Sequence, residues 1–319
     1  MRVAVLDDYQ GVALGSADWE RVTSRAEVVV FSDHLADEGE LVERLQDFEV
    51  VVLMRERTPF PRLLFERLPK LRLLVTTGAQ NASVDAGAAL EAGVVFCGTA
   101  GLPYPTAELT WGLILALVRR IPTEDREMRR GNWQTEMGEG LQGKRLGVIG
   151  LGRLGKQVAS VGRAFGMSVM AWSENLTRDR TEAVGVELAS NKAELLERAD
   201  VVTIHLVLSE RTRGLIGASE LRLMRETSYL VNTSRGSIVD EVALVEALRS
   251  GSIAGAGIDV FEAEPVPAGH PLLELDNVVL TPHVGYVTKE AYEVFYGDVV
   301  EDIVAFFDGS PVRVIGGGV

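Results

Sequence analysis

The sequence predicts an α/β protein of two domains, each built on an open parallel sheet with helices on its faces. Short apolar runs alternate with helical patterns along the first hundred residues, and a second alternation follows a long apolar helix pattern. Between the two series, KRLGVIG runs straight into Gly150-x-Gly152-x-x-Gly155. In such a fingerprint the first glycine permits a tight turn, the second lets the backbone approach a pyrophosphate, and the third lets helix and strand pack closely. The phosphates then rest on a helix N-terminus, where free N–H groups favour an anion. A chain of 319 residues also exceeds one ordinary core and favours two domains, with room for a cleft.

In the first series RVAVLD, EVVVF, EVVVLM, LRLLVTTG and VVFCGT read as buried strands. Residues 38–46, 61–68 and 85–91 read as helices, the last opening on Asp85 as N-cap. TAELTWGLILALVRR is apolar on most faces and is expected to be buried between the domains as a bridge. The second series, RLGVIG, SVMAWS, DVVTIHL, SYLVNTS, AGAGIDV and NVVLTPH, predicts six parallel strands. Helices are expected at residues 154–165, 193–198 and 241–249, with a capping box at Asn191 and Glu194 and an N-cap at Asp240. The apolar spacing of KEAYEVFYGDVVEDIVAFFDG predicts a last helix that returns to the first domain.

Composition excludes several classes. A net charge of -14 speaks against nucleic acid and anionic membrane surfaces, which require clustered Lys and Arg. The single Cys97 cannot form an intrachain disulfide and reads as a core residue of a chain in a reducing compartment. MRVAVLDD does not read as a signal peptide, and the longest apolar run is too short to span a bilayer, so a cytoplasmic location is expected. No HExxH or paired CxxC pattern points to a metal.

Three segments downstream of the glycines end apolar runs: NTSRG with Arg235, GIDVFEAEP with Asp259 and Glu264, and TPHVGY with His283. In a doubly wound sheet the strand ends face one crevice, so these residues can converge. Together they suit hydride transfer at a carbonyl. A histidine exchanges a proton near neutrality, a carboxylate on its other nitrogen fixes the tautomer, and an arginine grips a substrate carboxylate. His205 reads as structural, and His34 and His270 as loop residues without chemistry. Trp111 and Trp133 read as packing or interface residues.

These segments, with RERT at residues 55–58, TTGAQN at 76–81 and TAELTWGLILAL, closely resemble the D-isomer-specific 2-hydroxyacid dehydrogenase family over nearly the whole chain. The resemblance implies a Rossmann dinucleotide domain, residues 101–284, inserted into a flavodoxin-like catalytic domain of residues 1–100 and 285–319, with a hinge at the crossings. It implies Arg235, Glu264 and His283 as the catalytic triad. Arg55 becomes a candidate for lining the substrate site, and Gly78, Ala79 and Gln80 form a substrate loop offering backbone N–H groups. Gly150, Gly152, Arg153, Leu154, Gly155, Thr212, Thr233, Ser234 and Asp259 match dinucleotide positions. A homodimer is also implied, with residues 106–130 as a helix at its interface.

One position departs from the family pattern. Where NAD-preferring members carry an acid after the second strand, this chain has Ser173, followed by Glu174. A carboxylate at 174 repels a 2′-phosphate, whereas Arg178 and Arg180 nearby could admit one, so NAD or NADP is expected with a lean to NAD. The expected substrate is a small 2-oxo or 2-hydroxy acid. The competing class is a non-catalytic, NADH-sensing corepressor, disfavoured by the lack of long disordered extensions. Formate or phosphite oxidation is a minor alternative, and no appended feedback domain is expected.

Overall fold

The computed structural model describes residues 1–316, so the last three residues of the expected 285–319 segment lie outside the described residues. The backbone separates into two compact units, Met1–Leu102 with Val287–Val319, and Pro103–Tyr286. The first opens with β1 (Arg2–Val5), α1 (Glu20–Thr23), β2 (Glu27–Val30), α2 (Glu38–Leu45), β3 (Val50–Leu53), α3 (Arg62–Arg67), β4 (Leu73–Thr76), α4 (Ala86–Glu91) and β5 (Val95–Gly98). Its sheet is entirely parallel in the order β2-β1-β3-β4-β5, so the strand order reverses between β1 and β3. β3 and β4 are buried along their whole length, as parallel strands covered on both faces must be. Asp85 caps α4 by accepting from the Ala88 N–H at 2.8 Å.

The second unit begins with α5 (Pro105–Val118) and α6 (Ile121–Arg129). The expected single helix over residues 106–130 is therefore two, because Arg120 takes a left-handed φ of 53° and Pro122 opens the next helix. The apolar residues of α5 are covered within its own unit, by strands of the sheet and by the helix that follows the glycine loop. Gly257 permits the approach, since a Cβ there would lie 3.1 Å from Leu113 Cβ.

The unit continues through β6 (Arg145–Ile149), α7 (Arg153–Ala164), β7 (Ser168–Trp172), α8 (Arg178–Glu182), β8 (Glu187–Leu188), α9 (Lys192–Arg198) and β9 (Val201–Ile204). It closes with α10 (Ala218–Leu221), β10 (Tyr229–Asn232), α11 (Glu241–Arg249), β11 (Gly255–Ile258) and β12 (Val278–Leu280). The parallel sheet has seven strands in the order β12-β11-β10-β9-β6-β7-β8, one more than the six expected. The additional β8 is a two-residue edge strand paired with Met170 and Ala171, too short to leave an apolar run. The capping box is displaced as well. Asn191 accepts from the Glu194 N–H, but the Glu194 carboxylate reaches back to the Ser190 N–H and hydroxyl instead of the Asn191 N–H.

From Lys289 to Phe307 the chain forms α12, which packs on α1 and β4 of the first unit. Its buried face includes Tyr292, Phe295, Tyr296, Val299 and Ile303. Cys97 lies buried in the same unit, and burial pushes its thiol up to about 12. Among the described residues no helix is long and apolar enough to cross a membrane.

Candidate active site

The glycine loop joins β6 to α7, and each glycine meets a different constraint. Gly150 has a φ of +98°, and a Cβ there would come within 2.6 Å of the His205 carbonyl oxygen. Its N–H donates to Trp172 O at 2.8 Å, fixing the turn against β7. Gly155 lies beneath the turn, where a Cβ would meet Gly150 O at 2.0 Å. Gly152 differs: it is the N-cap residue of α7, no side chain caps that helix, and nothing lies within 4 Å of a Cβ built on it. The result is an open cradle over the N-terminus of a 12-residue helix with no acid in its first turn, which fits a dinucleotide pyrophosphate.

Around this cradle, Arg153 is exposed and Leu154 half-buried in the first turn of α7. Ser173 follows β7 half-buried, accepting from the Leu176 N–H at 3.0 Å, while Glu174, Arg178 and Arg180 are exposed. Three hydroxyls are engaged internally. Thr212 Oγ1 closes its own turn through Val207 O and the Ser209 N–H. Thr233 Oγ1 lies 2.9 Å from Thr110 Oγ1, tying the end of β10 to α5. Ser234 Oγ donates to Ile204 O at 2.7 Å, tying it to β9.

At the same edge of the sheet, beyond β10, β11 and β12, the structure brings Arg235, Glu264 and His283 together. His283 Nδ1 lies 2.6 Å from Glu264 Oε2, and Glu264 Oε1 accepts from the Phe261 N–H at 2.8 Å. Burial raises the Glu264 pKa, but the His283 hydrogen bond and charge, the Phe261 N–H and the Arg235 charge outweigh it and hold the carboxyl below its ordinary value. The Tyr286 ring stands edge-on to His283 at 5.6 Å. Arg235 is set by its neighbours: Asn232 Nδ2 donates to its carbonyl at 2.9 Å, and its own Nη1 donates to Ser234 O. Gly236 then presses on the other segment, since a Cβ there would come within 2.1 Å of the Phe261 carbonyl carbon.

Asp259 organises the histidine loop. Its Oδ1 accepts from the Thr281 hydroxyl at 2.6 Å and the Val284 N–H at 2.8 Å, its Oδ2 from the Gly285 N–H at 2.9 Å, and its carbonyl from the His283 N–H at 2.8 Å. These bonds hold His283 at a left-handed φ of 52°, a conformation that costs energy outside glycine. Burial pushes the Asp259 carboxyl up, while Thr281, the Val284 N–H, the His283 charge and the Gly285 N–H pull it back.

In the first unit the structure groups Arg55, Gly78, Ala79 and Gln80 at the ends of β3 and β4. Arg55 lies across the loop: its N–H donates to Thr77 Oγ1 at 2.9 Å and its Nη1 to Thr77 O at 3.1 Å. Gly78 has a φ of +100°, and a Cβ on it would lie 1.6 Å from Arg55 Nη1. The expectation of three N–H donors here is narrowed, because the Gly78 N–H is given to Thr99 Oγ1 at 2.7 Å. The N–H groups of Ala79 and Gln80 make no hydrogen bond to another described residue. His34 lies in a loop, as expected, with its ring 2.9 Å from the buried carboxylate of Asp7, which also accepts from Thr58 Oγ1.

Thr99, Gly236, Glu241 and Thr281 carry no sequence signal for the contacts they make, and His270 reads in sequence only as a loop residue. Each acts through a partner distant in sequence, and a Thr or Gly after a strand carries no pattern that marks it. His270 lies 2.8 Å from Glu241 Oε1, a pair separated by 29 residues.

Comparison with known proteins identifies the scaffold. Residues 111–285 match the family model of the D-isomer specific 2-hydroxyacid dehydrogenase NAD binding domain. The chain is 41% identical over 257 residues to a glyoxylate reductase of Aeropyrum pernix, covering 77% of this chain and 76% of that one. It is 40% identical over 274 residues to a D-3-phosphoglycerate dehydrogenase of Methanocaldococcus jannaschii, covering 85% of this chain but 52%, about half, of that relative's length. The crystal structure of a phosphoglycerate oxidoreductase from Vibrio cholerae O395 superimposes with a TM-score of 0.92 at 37% identity, covering 97% of this chain and all of that one. The cradle, the parallel sheet it belongs to and these similarities agree: the chain belongs to the D-isomer-specific 2-hydroxyacid dehydrogenase family of NAD-binding oxidoreductases.

Proposed function

We propose that the protein interconverts a small 2-oxo acid and its D-2-hydroxy acid with a nicotinamide dinucleotide, His283 being the general acid and base. The observation that carries this reading is the 2.6 Å contact between His283 Nδ1 and Glu264, with Arg235 beside them on the sheet edge that holds the glycine cradle. Gly150, Gly152, Arg153, Leu154 and Gly155 would hold the pyrophosphate. When bound, the reduced nicotinamide supplies the hydride for the 2-oxo carbon.

The side chains divide the remaining work. With Nδ1 engaged by Glu264, His283 exchanges its proton with the substrate oxygen through Nε2. Glu264 stays ionised and holds the His283 ring through Nδ1; in the oxidative direction it stabilises the imidazolium formed when the hydroxyl proton is taken. Arg235 polarises the carbonyl and grips the substrate carboxylate through its planar fork.

On this reading residues 101–284 are the dinucleotide domain and residues 1–100 and 285–319 the substrate domain of a cytoplasmic homodimer. Glyoxylate and hydroxypyruvate are the first substrates to test, with both cofactors, by following nicotinamide absorbance. Oxidation of NADH with at least one such acid is expected. Tight cofactor binding without turnover on any of them would favour the corepressor reading instead. Glu174, exposed beyond β7, supports NAD over NADP. Isothermal titration should accordingly give tighter binding of NADH, and tighter NADPH would reverse the assignment.

A further inference from the structure

Residues 261–270 carry Glu264 on an excursion from the sheet after β11, yet Glu264 must stay within hydrogen-bond reach of His283. One carboxylate on a neighbouring helix joins the two ends of that excursion. Glu241, the first residue of α11, accepts from the Glu262 N–H through Oε2 at 3.3 Å and meets His270 Nε2 through Oε1 at 2.8 Å. His270 Nδ1 accepts from the Leu272 N–H at 3.3 Å, so this bonding assigns the proton to Nε2, which donates to Glu241. The two side chains are only 13% and 18% exposed, so little water competes for the contact. The buried Phe261 ring packs against the His270 ring edge-to-face at 6.3 Å, and Gly236 closes on the Phe261 backbone from the Arg235 side.

We infer that Glu241 and His270 form a clamp that positions Glu264 against His283, which rests on the reading of Glu264 and His283 as the proton-transfer pair. Neither clamp residue reaches the reacting atoms; both act through the segment they hold. Glu264 itself faces His283, Arg235 and the Phe261 N–H, and Glu241 faces His270 and the Glu262 N–H. Loosening the segment lengthens the Glu264 contact with His283. A displacement of about 1 Å at a reacting group is enough to cost on the order of a hundredfold.

The test measures reductive kcat, substrate KM and dinucleotide affinity across pH for the full-length protein and for E241A, H270A, H270Q and E264Q. E241A and H270A should lose roughly tenfold to a hundredfold in kcat, with KM and dinucleotide affinity kept within about threefold. Their acid limb of kcat should move up toward the ordinary carboxylate range, because a Glu264 released from His283 is protonated more readily. H270Q, whose amide nitrogen can donate to Glu241 from near the Nε2 position, should retain more kcat than H270A. Variants that bind dinucleotide but keep the wild-type kcat and acid limb, even with a lowered Tm, would overturn the clamp. If E241A does not fold, the H270A and H270Q pair decides by the same readouts. E264Q separates the two ideas: wild-type kcat in E264Q removes the proton-transfer pair itself, whereas its loss alongside unchanged E241A and H270A removes only the clamp.

Discussion

His283→Ala is expected to lose about 10²- to 10⁴-fold in kcat, the range typical of a positioned general acid or base. Dinucleotide affinity should stay within about threefold of wild type, since the cradle after β6 shares no hydrogen bond with the imidazole. Single-turnover mixing of enzyme and NADH with a 2-oxo acid separates the two quantities, and equal loss of both would contradict the assigned role. The pH dependence carries a sign of its own. In the reductive direction His283 must be protonated and Glu264 ionised, so the acid limb reports Glu264. Its carboxyl is held below the ordinary 4.5, so kcat should persist as pH falls through the range where a free glutamate gains its proton. The same depressed value contributes stability that is present above the ordinary pKa and lost as pH falls through the folded one. Glu264→Gln should abolish that acid limb and lower kcat.

How much of this was legible in the sequence depends on what each residue has to do. Strand runs such as VVVL at Val50–Leu53 and LLVT at Leu73–Thr76 show plainly because a parallel strand covered on both faces is apolar along nearly all of its length. Asp85 and Asp240 show because an N-cap acts within three residues of itself. By contrast β8 has only two residues, and the break between α5 and α6 turns on the single backbone conformation of Arg120. Arg235, Glu264 and His283 were readable because each ends a strand pattern and their segments together match a family. Glu241 was not. At the first position of a helix, an acid already has a sufficient local reason in the helix dipole, and nothing local signals a partner 29 residues away. The engaged N–H of Gly78 was hidden for a similar reason, since its acceptor Thr99 lies on the next strand's exit, 21 residues on.

Within the glycine fingerprint the sequence treats three positions alike, and the structure predicts that substitution will separate them. Gly155→Ala is expected to destabilise the protein by about 3 kcal/mol, the upper part of the range for overpacking a core. Its Cβ would lie 2.0 Å from the Gly150 carbonyl oxygen and 3.2 Å from Val148 Cγ1, and a backbone oxygen cannot rotate away as a side chain can. Gly152→Ala should leave stability nearly unchanged, because the residue has an ordinary negative φ of -79° and open space around it. That open space is where a pyrophosphate would approach the α7 N-terminus, so Gly152→Ala should weaken NADH binding at least tenfold, ~1.4 kcal/mol. Denaturant unfolding and isothermal titration on both variants read the two effects independently. A Gly152→Ala protein that binds NADH as tightly as wild type would mean the backbone of α7 does not meet the phosphates. A Gly155→Ala protein of wild-type stability would mean that the turn relaxes at little cost, and close helix-to-strand packing would no longer account for the third glycine.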